Sequence, residues 1–396
     1  MLVINHPEVV ENGDDAILRA SFSCRNVEGT LWFSTTLANK YYLCYERGDA
    51  FLVGLLLYAM KRGEDITVRA PVSERLYYTL TTYYIKFLAD LFPGYKKIRL
   101  ICETDAGNLA NLGAVGTGFS CGIDSFCTVI YHTANECPPN FRLTHLTFFN
   151  VGAAGDNGGE GARERFKNRI KGVKPCADAY GLPLITLDSN ISEILQMEYV
   201  RVHTVRNVAA VLAFQKLFSV YLYSSGYPVK QFEASPYDSA HYDIFGLDML
   251  STSDVTFFSS GSTYSRVEKT EIITTEPLTR SYLNVCLTSS DTNCAKCDKC
   301  LRTLVTLEVL GKLSDYSGVF DLATYKKYRH KFIAGVLVEK HDFFKMDIYN
   351  AMRRYHYPVP FAVYLQVPYQ WCYETCRHMA IFFYRKFINP LKNRSP

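Results

Sequence analysis

Between residues 113 and 134 an apolar run of small residues, Gly113 to Phe119, passes into Ser120-Cys121-Gly122-Ile123-Asp124-Ser125 and then into a helix-forming stretch from Asp124 onward. A buried strand, a short Ser/Gly loop and a helix start together make an anion-binding device. The helix start offers N–H groups with no intrahelical partner and the positive end of its dipole. Gly122 lets the backbone approach an anion with no side chain in the way. Ser120 and Ser125 add hydroxyl donors, and Asp124 can cap the helix or approach a magnesium ion. The order predicts a grip on the α–β pyrophosphate of a nucleotide; the alternative is an ordinary strand-to-helix turn capped by Ser and Asp.

The loop lacks the Gly-Lys-Ser/Thr ending that γ-phosphate chemistry uses. With 396 residues, 48% apolar and 21% charged, the chain is expected to be globular: one large domain with additions, or two to three smaller units. A net charge of +4 is too mild to name a polyanionic partner. The N-terminus has neither a basic start nor an apolar h-region. The longest apolar run, AFLVGLLLYAM between Asp49 and Lys61, is too short for a bilayer and reads as a buried helix. The expectation is a cytoplasmic protein with no membrane partner.

Of thirteen cysteines, Cys44, Cys102, Cys127 and Cys176 stand alone in apolar surroundings and read as small buried hydrophobes. Cys286, Cys294, Cys297 and Cys300 are clustered as C-x7-C-x2-C-x2-C. Four thiolates from a tight knuckle and a nearby strand end can close a tetrahedron around Zn²⁺. The turn-forming residues between them supply no core, which a metal would replace. Disulfides are disfavoured in a reducing compartment, an iron–sulfur cluster could use the same ligands, and structural zinc is favoured over both. Four protein ligands leave no open position, so the metal is given no catalytic role.

The chain between the two motifs reads as alternating strands and helices, which predicts an α/β fold with a parallel, doubly wound sheet. Leu143 to Val151 and Leu182 to Asn190 are strands flanking a helix that ends at Gly181. His203 to Gly226 reads as one long apolar helix, and Val229 to Ser235 as a further strand. Residues 1–107 read as an added α+β module, 108–310 as the main domain with the cysteine segment 286–300, and 311–396 as a helical extension.

The loop resembles the SGGxDS loop of the PP-loop (N-type) ATP pyrophosphatases, with Cys121 in place of the first glycine. One cysteine followed by a compact C-x2-C-x2-C and Leu-Arg is similar to the C-terminal zinc segment of the 7-cyano-7-deazaguanine synthases, which are PP-loop enzymes. The resemblance covers roughly residues 108 to 310. It implies a HUP-type adenine nucleotide α-hydrolase fold with ATP, Mg²⁺ and Zn²⁺ as cofactors. ATP would be held by Phe119, Ser120, Cys121, Gly122, Ile123, Asp124, Ser125 and Phe149. Asp124, Arg206 and Lys269 would act in catalysis, while Asn207, Asp238 and Arg266 would face the substrate. The implied reaction adenylates a carboxylate or amide, releases pyrophosphate and passes the acyl group to ammonia or an amine. A 7-deazapurine carboxylate is the implied acceptor; a protein or nucleic-acid acceptor and a homodimer also fit. Two rivals stand beside it: thiolation of an RNA base through a persulfide on Cys121 or Cys127, and a nucleotide-binding scaffold weakened by Cys121.

The Gly-rich stretch Gly152 to Gly161 is either a lid over the nucleotide or a plain surface loop. GAVGTG (Gly113 to Gly118) precedes the loop rather than bridging strand to helix, so a dinucleotide fingerprint is rejected. The last segment carries Arg377, Arg385, Lys386, Lys392 and Arg394 among Phe382, Phe383, Tyr384 and Phe387. It reads as a helix with a solvated basic face, or as a partner or nucleic-acid surface. Cys372 and Cys376, one helical turn apart, lack the further ligands a second metal would need.

Overall fold

The computed structural model of the chain describes residues 1–286, 288 and 292–383, and for His378 and residues 381–383 the backbone alone. Two compact units are present, Met1–Tyr264 and Ser265–Pro396. This division falls elsewhere than the boundaries at 107 and 310 read from the sequence.

Thirteen strands are found among the described residues, all of them in the first unit: β1 Leu2–Ile4, β2 Glu8–Asn12, β3 Asp15–Cys24, β4 Val27–Thr36, β5 Ile66–Val68, β6 Val72–Ser73, β7 Leu100–Ile101, β8 Thr104–Asp105, β9 Ala114–Gly118, β10 His145–Asn150, β11 Leu184–Ser189, β12 Phe218–Ser224 and β13 Thr256–Ser260. Eleven of them make one mixed sheet in the order β13-β12-β9-β10-β11-β4-β3-β1-β5-β7, with β2 beside β3. The stretch from β13 to β11 is parallel throughout. In chain order those five strands run 3-2-1-4-5, so the winding reverses between β9 and β12. In doubly wound sheets ligands gather outside the carboxyl ends of the strands at such a reversal.

The strands of residues 1–107 belong to this same sheet. β11 pairs antiparallel with β4 over Asp188↔Ser34 and Ser189↔Phe33. Side chains complete the seam: Thr35 Oγ1 donates to Thr186 O at 2.7 Å, Ser189 Oγ to Trp32 O at 2.7 Å, and Trp32 N to Asn190 Oδ1 at 3.0 Å. The helix Asp49–Arg62, buried along Asp49 to Met60, packs against the helix Tyr199–Leu212. Both contribute to one apolar core with β3, β4, β10 and β11.

The long helix expected over 203–226 is in fact a helix ending at Leu212 and the strand β12. Beyond Leu212 the carbonyls go to distant partners: Ala213 O accepts from Cys44 N at 2.9 Å, Lys216 O from Leu112 N at 3.0 Å, and Gln215 O and Phe218 O from Asn111 Nδ2, both at 2.6 Å, so the helical ladder does not continue. Phe218 to Ser224, rich in aromatic and β-branched residues, then suits a pleated surface. The strand expected over 229–235 is a short 3-10 turn, Val229–Gln231, after Pro228. The strand next in the chain is β13, which pairs in parallel with β12.

The second unit is helical among its described residues, with Arg266–Ile273, Asp298–Val309, Leu322–Val338, Phe343–Arg354 and Val367–Phe383 as its longer elements. The basic and aromatic positions from Tyr384 to Arg394, and the side chains of Phe382 and Phe383, lie outside the described residues. Arg377 pairs with Glu374 at 3.2 Å. Among the described residues no helix is long and apolar enough to cross a membrane.

Candidate functional site

The loop after β9 lies at the winding reversal. The Phe119 N–H bonds to Thr147 O at 2.8 Å, which carries the strand ladder of β9 and β10 one residue further. The chain then turns through Cys121 at φ 58 and enters the helix Ile123–Thr133 at Gly122. Ser125 Oγ receives the N–H groups of Gly122 at 3.1 Å and Ser120 at 3.4 Å, and donates to Gly122 O at 3.0 Å. Ser125 is thus the internal brace of the loop. Cys121 occupies left-handed backbone, the region where glycine has no steric cost, and its side chain is 2% exposed. Gly122, at φ −86 and ψ 169, has an ordinary extended backbone. The conformational demand for glycine therefore falls on position 121, where this chain has cysteine.

A cation also reaches the loop. Arg169, on the helix Glu160–Ala179, donates from Nη2 to Ser120 O at 3.4 Å. Sequence reasoning missed it, because that helix carries Arg163, Arg165, Lys167, Lys171 and Lys174 as well. Its spacing alone sets Arg169 apart from none of them. Half-buried Asp124 stands in the first helical turn. A guanidinium, a helix N-terminus and Ser120 thus surround one strand end, an arrangement suited to a dianion.

Phe119 and Phe149 belong to the core. Phe119 is 1% exposed and packs edge-on against Phe126, with ring centroids 5.2 Å apart. Phe149 stacks on Phe214 at 6.2 Å. Any contact of either with a nucleotide falls to the backbone. Arg206 is fully buried and works as a staple. Nη1 donates to Asp156 O and Ser192 Oγ, both at 3.1 Å, and to Val151 O at 3.4 Å; Nη2 donates to Met197 O at 2.7 Å. Burial without a carboxylate partner lowers its pKa to about 10. These contacts tie down the Gly-rich stretch, as do Tyr199 N to Asp156 Oδ1 and Gly159 N to Glu193 Oε1, both at 2.9 Å. A lid is not what this segment resembles. At Gly152, φ is +127 and a Cβ would lie 2.4 Å from Arg206 Nη1, so the guanidinium fills the space a side chain would take.

Beyond the carboxyl end of β12 a polar cluster forms. Asp238 caps a short 3-10 turn through Ala240 N at 3.0 Å and receives Tyr227 OH at 3.3 Å. His203 bridges Tyr223 OH at 2.6 Å and Asp238 Oδ1 at 3.4 Å. Burial pushes the Asp238 carboxyl up, but His203 and the Ala240 N–H outweigh it and hold it below its ordinary value. Burial pushes Asp243 up to about 6. Asn207 spends its amide on Tyr199 OH at 2.9 Å and His203 O at 2.8 Å, so it orients the cluster. Thr128 Oγ1 lies 2.9 Å from Ser224 Oγ and joins the loop's helix to this strand end. His203, four residues before Asn207, was legible only as one of nine scattered histidines.

In the second unit the four clustered cysteines converge, their sulfur atoms all within 4.8 Å of one another. Cys294 and Cys300 sulfurs are 3.9 Å apart, against roughly 3.8 Å for two thiolates on one tetrahedral zinc. Asn293 braces the knuckle, giving Nδ2 to Leu283 O at 2.7 Å and Val319 O at 3.1 Å and receiving Val285 N at 2.8 Å. Cys300 lies in the first turn of Asp298–Val309, where the helix dipole favours a thiolate. Burial and Cys297 push the Cys300 thiol up. Burial also opposes ionisation at Cys294, but the hydroxyl of Thr288 and nearby N–H groups draw that thiol down to about 6. A shared cation is what would let all four ionise, so the donor set fits a metal such as zinc. Lys269, 1% exposed, and Arg266 lie on the helix Arg266–Ile273 of this unit. That helix starts with a capping box between Ser265 and Glu268, so the sequence STYSRVEKTEII encodes a helix start.

Comparison with protein-family models, curated proteins and solved structures returned no match for this chain.

Proposed function

We propose that the chain is an ATP-dependent enzyme that adenylates a carboxylate or amide, releases pyrophosphate and transfers the acyl group to a nitrogen nucleophile. The observation that carries this reading is the loop Ser120–Ser125 at the winding reversal of a 3-2-1-4-5 parallel sheet, with the helix N-terminus and Arg169 beside it. Ser120, the Gly122 backbone and the first helical turn would hold the leaving pyrophosphate. Asp124 would approach Mg²⁺, which would neutralise charge there. Positioning and charge stabilisation supply most of the rate in such chemistry. The cluster of His203, Asp238 and Tyr223 at the next strand end would bind the acceptor. In the second unit the cysteine quartet is proposed as a structural zinc site. A 7-deazapurine carboxylate and ammonia follow from the resemblance of the two motifs. Thiolation through Cys121 or Cys127 is not favoured, since their side chains are 2% and 0% exposed.

The test is to incubate the zinc-loaded protein with ATP, Mg²⁺, 7-carboxy-7-deazaguanine and ammonium and to analyse products by mass. AMP and pyrophosphate support the proposal, and ADP overturns it. If no nucleotide turns over, that acceptor is removed, and pyrophosphate–ATP exchange over a panel of carboxylates decides the adenylation step.

A further inference from the structure

A cavity of the first unit lies at the C-terminal end of the helix Ile123–Thr133. It has a volume of about 680 Å³ and is lined by Tyr131, His132, Cys137, Phe141, Phe258 and Ser260 among others, a size typical of small-molecule pockets. Tyr131, Phe141 and Phe258 are 39%, 38% and 43% exposed, an unusual outlay of aromatic surface that converges on one concavity. Tyr131 stacks on Tyr264 at 5.2 Å and Phe141 meets Phe258 edge-on at 5.8 Å. These pairs form flat walls suited to a planar aromatic ring.

Polar groups of the cavity form a chain. Cys137 Sγ lies 3.7 Å from His132 Nδ1, and His132 Nε2 lies 3.2 Å from Ser260 Oγ. The Phe141 carbonyl is 3.2 Å from Nδ1, and the thiol has Pro138 O at 3.7 Å as a second neighbour. Arg142 fixes the turn, donating from Nη2 to Asn135 O at 3.0 Å and to Cys137 O at 3.2 Å. If the thiol proton moves to His132, both ring N–H groups find acceptors: the thiolate and Phe141 O at Nδ1, and Ser260 Oγ at Nε2. Burial lowers the His132 pKa and so opposes the charged pair, while the Phe141 carbonyl at Nδ1 acts in the opposite sense by favouring the imidazolium. Nucleophile, base and a third group orienting the base are the parts of an activated thiol.

The geometry points to Cys137 as a base-activated nucleophile, with His132 as its base and Ser260 as the positioning residue, opening into a pocket for flat aromatic electrophiles. The cysteine sulfur forms a bond to the electrophilic carbon while its proton passes to His132. With an aromatic acyl substrate the bond to the leaving group then breaks and that group departs with the proton, leaving a thioester. The proposal does not rest on the nucleotide reading: Tyr131 stands six helical steps beyond Ser125, about 9 Å at 1.5 Å each, and none of the loop residues lines the cavity.

Alkylation of the full-length protein at pH 7, resolved cysteine by cysteine by peptide mass spectrometry, tests this. With limiting iodoacetamide Cys137 is expected to react about tenfold faster than exposed Cys372 and Cys376, the scale of a raised thiolate fraction. His132→Gln should remove that advantage and leave Cys372 unchanged, while Ser260→Ala should reduce it. N-phenylmaleimide should prefer Cys137 over N-methylmaleimide, and Phe258→Ala should abolish that preference without altering the iodoacetamide rate. Equal rates at Cys137 and Cys372, or no effect of either His132→Gln or Ser260→Ala, overturn the nucleophile. Absence of a phenyl preference overturns the aromatic pocket. Unchanged Cys372 rates and a cooperative thermal transition show that each variant is folded.

Discussion

Arg206 donates from Nη1 to the carbonyl oxygen of Asp156 at 3.1 Å, and Gly152 leaves the space that this guanidinium occupies. Gly152→Ala drives a methyl group into the guanidinium on left-handed backbone. The expected cost is about 3 kcal/mol. Arg206→Met leaves several buried carbonyls without a donor and should cost about 2–4 kcal/mol. Urea unfolding of both single variants and the double variant checks this. The double variant should lose somewhat less than the sum, because Met removes one of the two close contacts of the new methyl while that with Tyr199 Cδ2 at 2.5 Å remains.

Cys121 holds a backbone conformation that costs an L-residue about 1–2 kcal/mol. Cys121→Gly removes that cost and gives up a small buried side chain, so its stability should stay within about 1 kcal/mol of the parent. Cys121→Val, β-branched at the same φ, should be less stable by about 2 kcal/mol. If the nucleotide reading holds, Cys121→Gly keeps pyrophosphate release, and a large gain on that change would mark the cysteine as a brake.

Arg169→Gln removes the charge next to Ser120 and retains a hydrogen-bond donor. Under the proposed function the KM for ATP should rise about tenfold, the loss of one charge-assisted contact. Pyrophosphate release as a function of ATP concentration measures it. An unchanged KM would confine Arg169 to bracing the loop.

Asp49 is fully buried, accepting Ser73 N at 2.8 Å and Gln215 Nε2 at 3.0 Å. Burial raises its pKa from 3.8 to about 6. The folded chain therefore binds this proton more tightly than the unfolded chain does. That contribution to stability is complete below pH 3.8, declines as pH rises through about 6, and is absent above. Asp49→Asn should flatten this decline relative to the parent, read from urea midpoints between pH 4 and pH 8. Gln215 Oε1 has no partner among the described residues and can accept from the new amide once Gln215 turns over.

Chelation should act on the second unit alone. If the cysteine quartet holds a metal, removing it exposes four thiols to a colorimetric reagent and lowers amide protection in Asp298–Val309. Protection in Ala114–Gly118 should persist. Cys294→Ser should reproduce the effect and reduce bound zinc below one per chain. Equal loss of protection in both segments would contradict a role confined to the knuckle.

The motifs that sequence reasoning found are local. A strand, a loop and a helix start lie within 22 consecutive residues, and the cysteines within 15, so their chemistry is visible wherever the rest of the chain goes. What it missed depends on distant partners. Phe214-Gln215-Lys216-Leu217 extends a helical pattern perfectly well, and distant groups (Cys44 N, Asn111 Nδ2, Leu112 N and Ala114 N) take its carbonyls instead. Arg206 and Asn207 carry site roles only through the family resemblance. Their side chains, however, serve neighbouring protein groups, which spacing could not indicate. Arg169 is set apart from its basic neighbours by reaching Ser120 O, a contact made across 49 residues. The attachment of residues 1–107 rests on a strand pairing between Ser34 and Asp188, beyond the reach of any local pattern.

That pairing orders events during synthesis. Thr35 meets Thr186 across 151 residues, so at ribosomal speed β4 waits roughly 8–30 s for its partner. Leu31 and Phe33, fully buried in the finished protein, stand meanwhile on an unpaired strand edge, the kind that recruits neighbouring chains. Slow translation or a crowded polysome would therefore endanger this protein through the hairpin of β3 and β4, and shielding that hairpin until β11 emerges is expected to raise its yield.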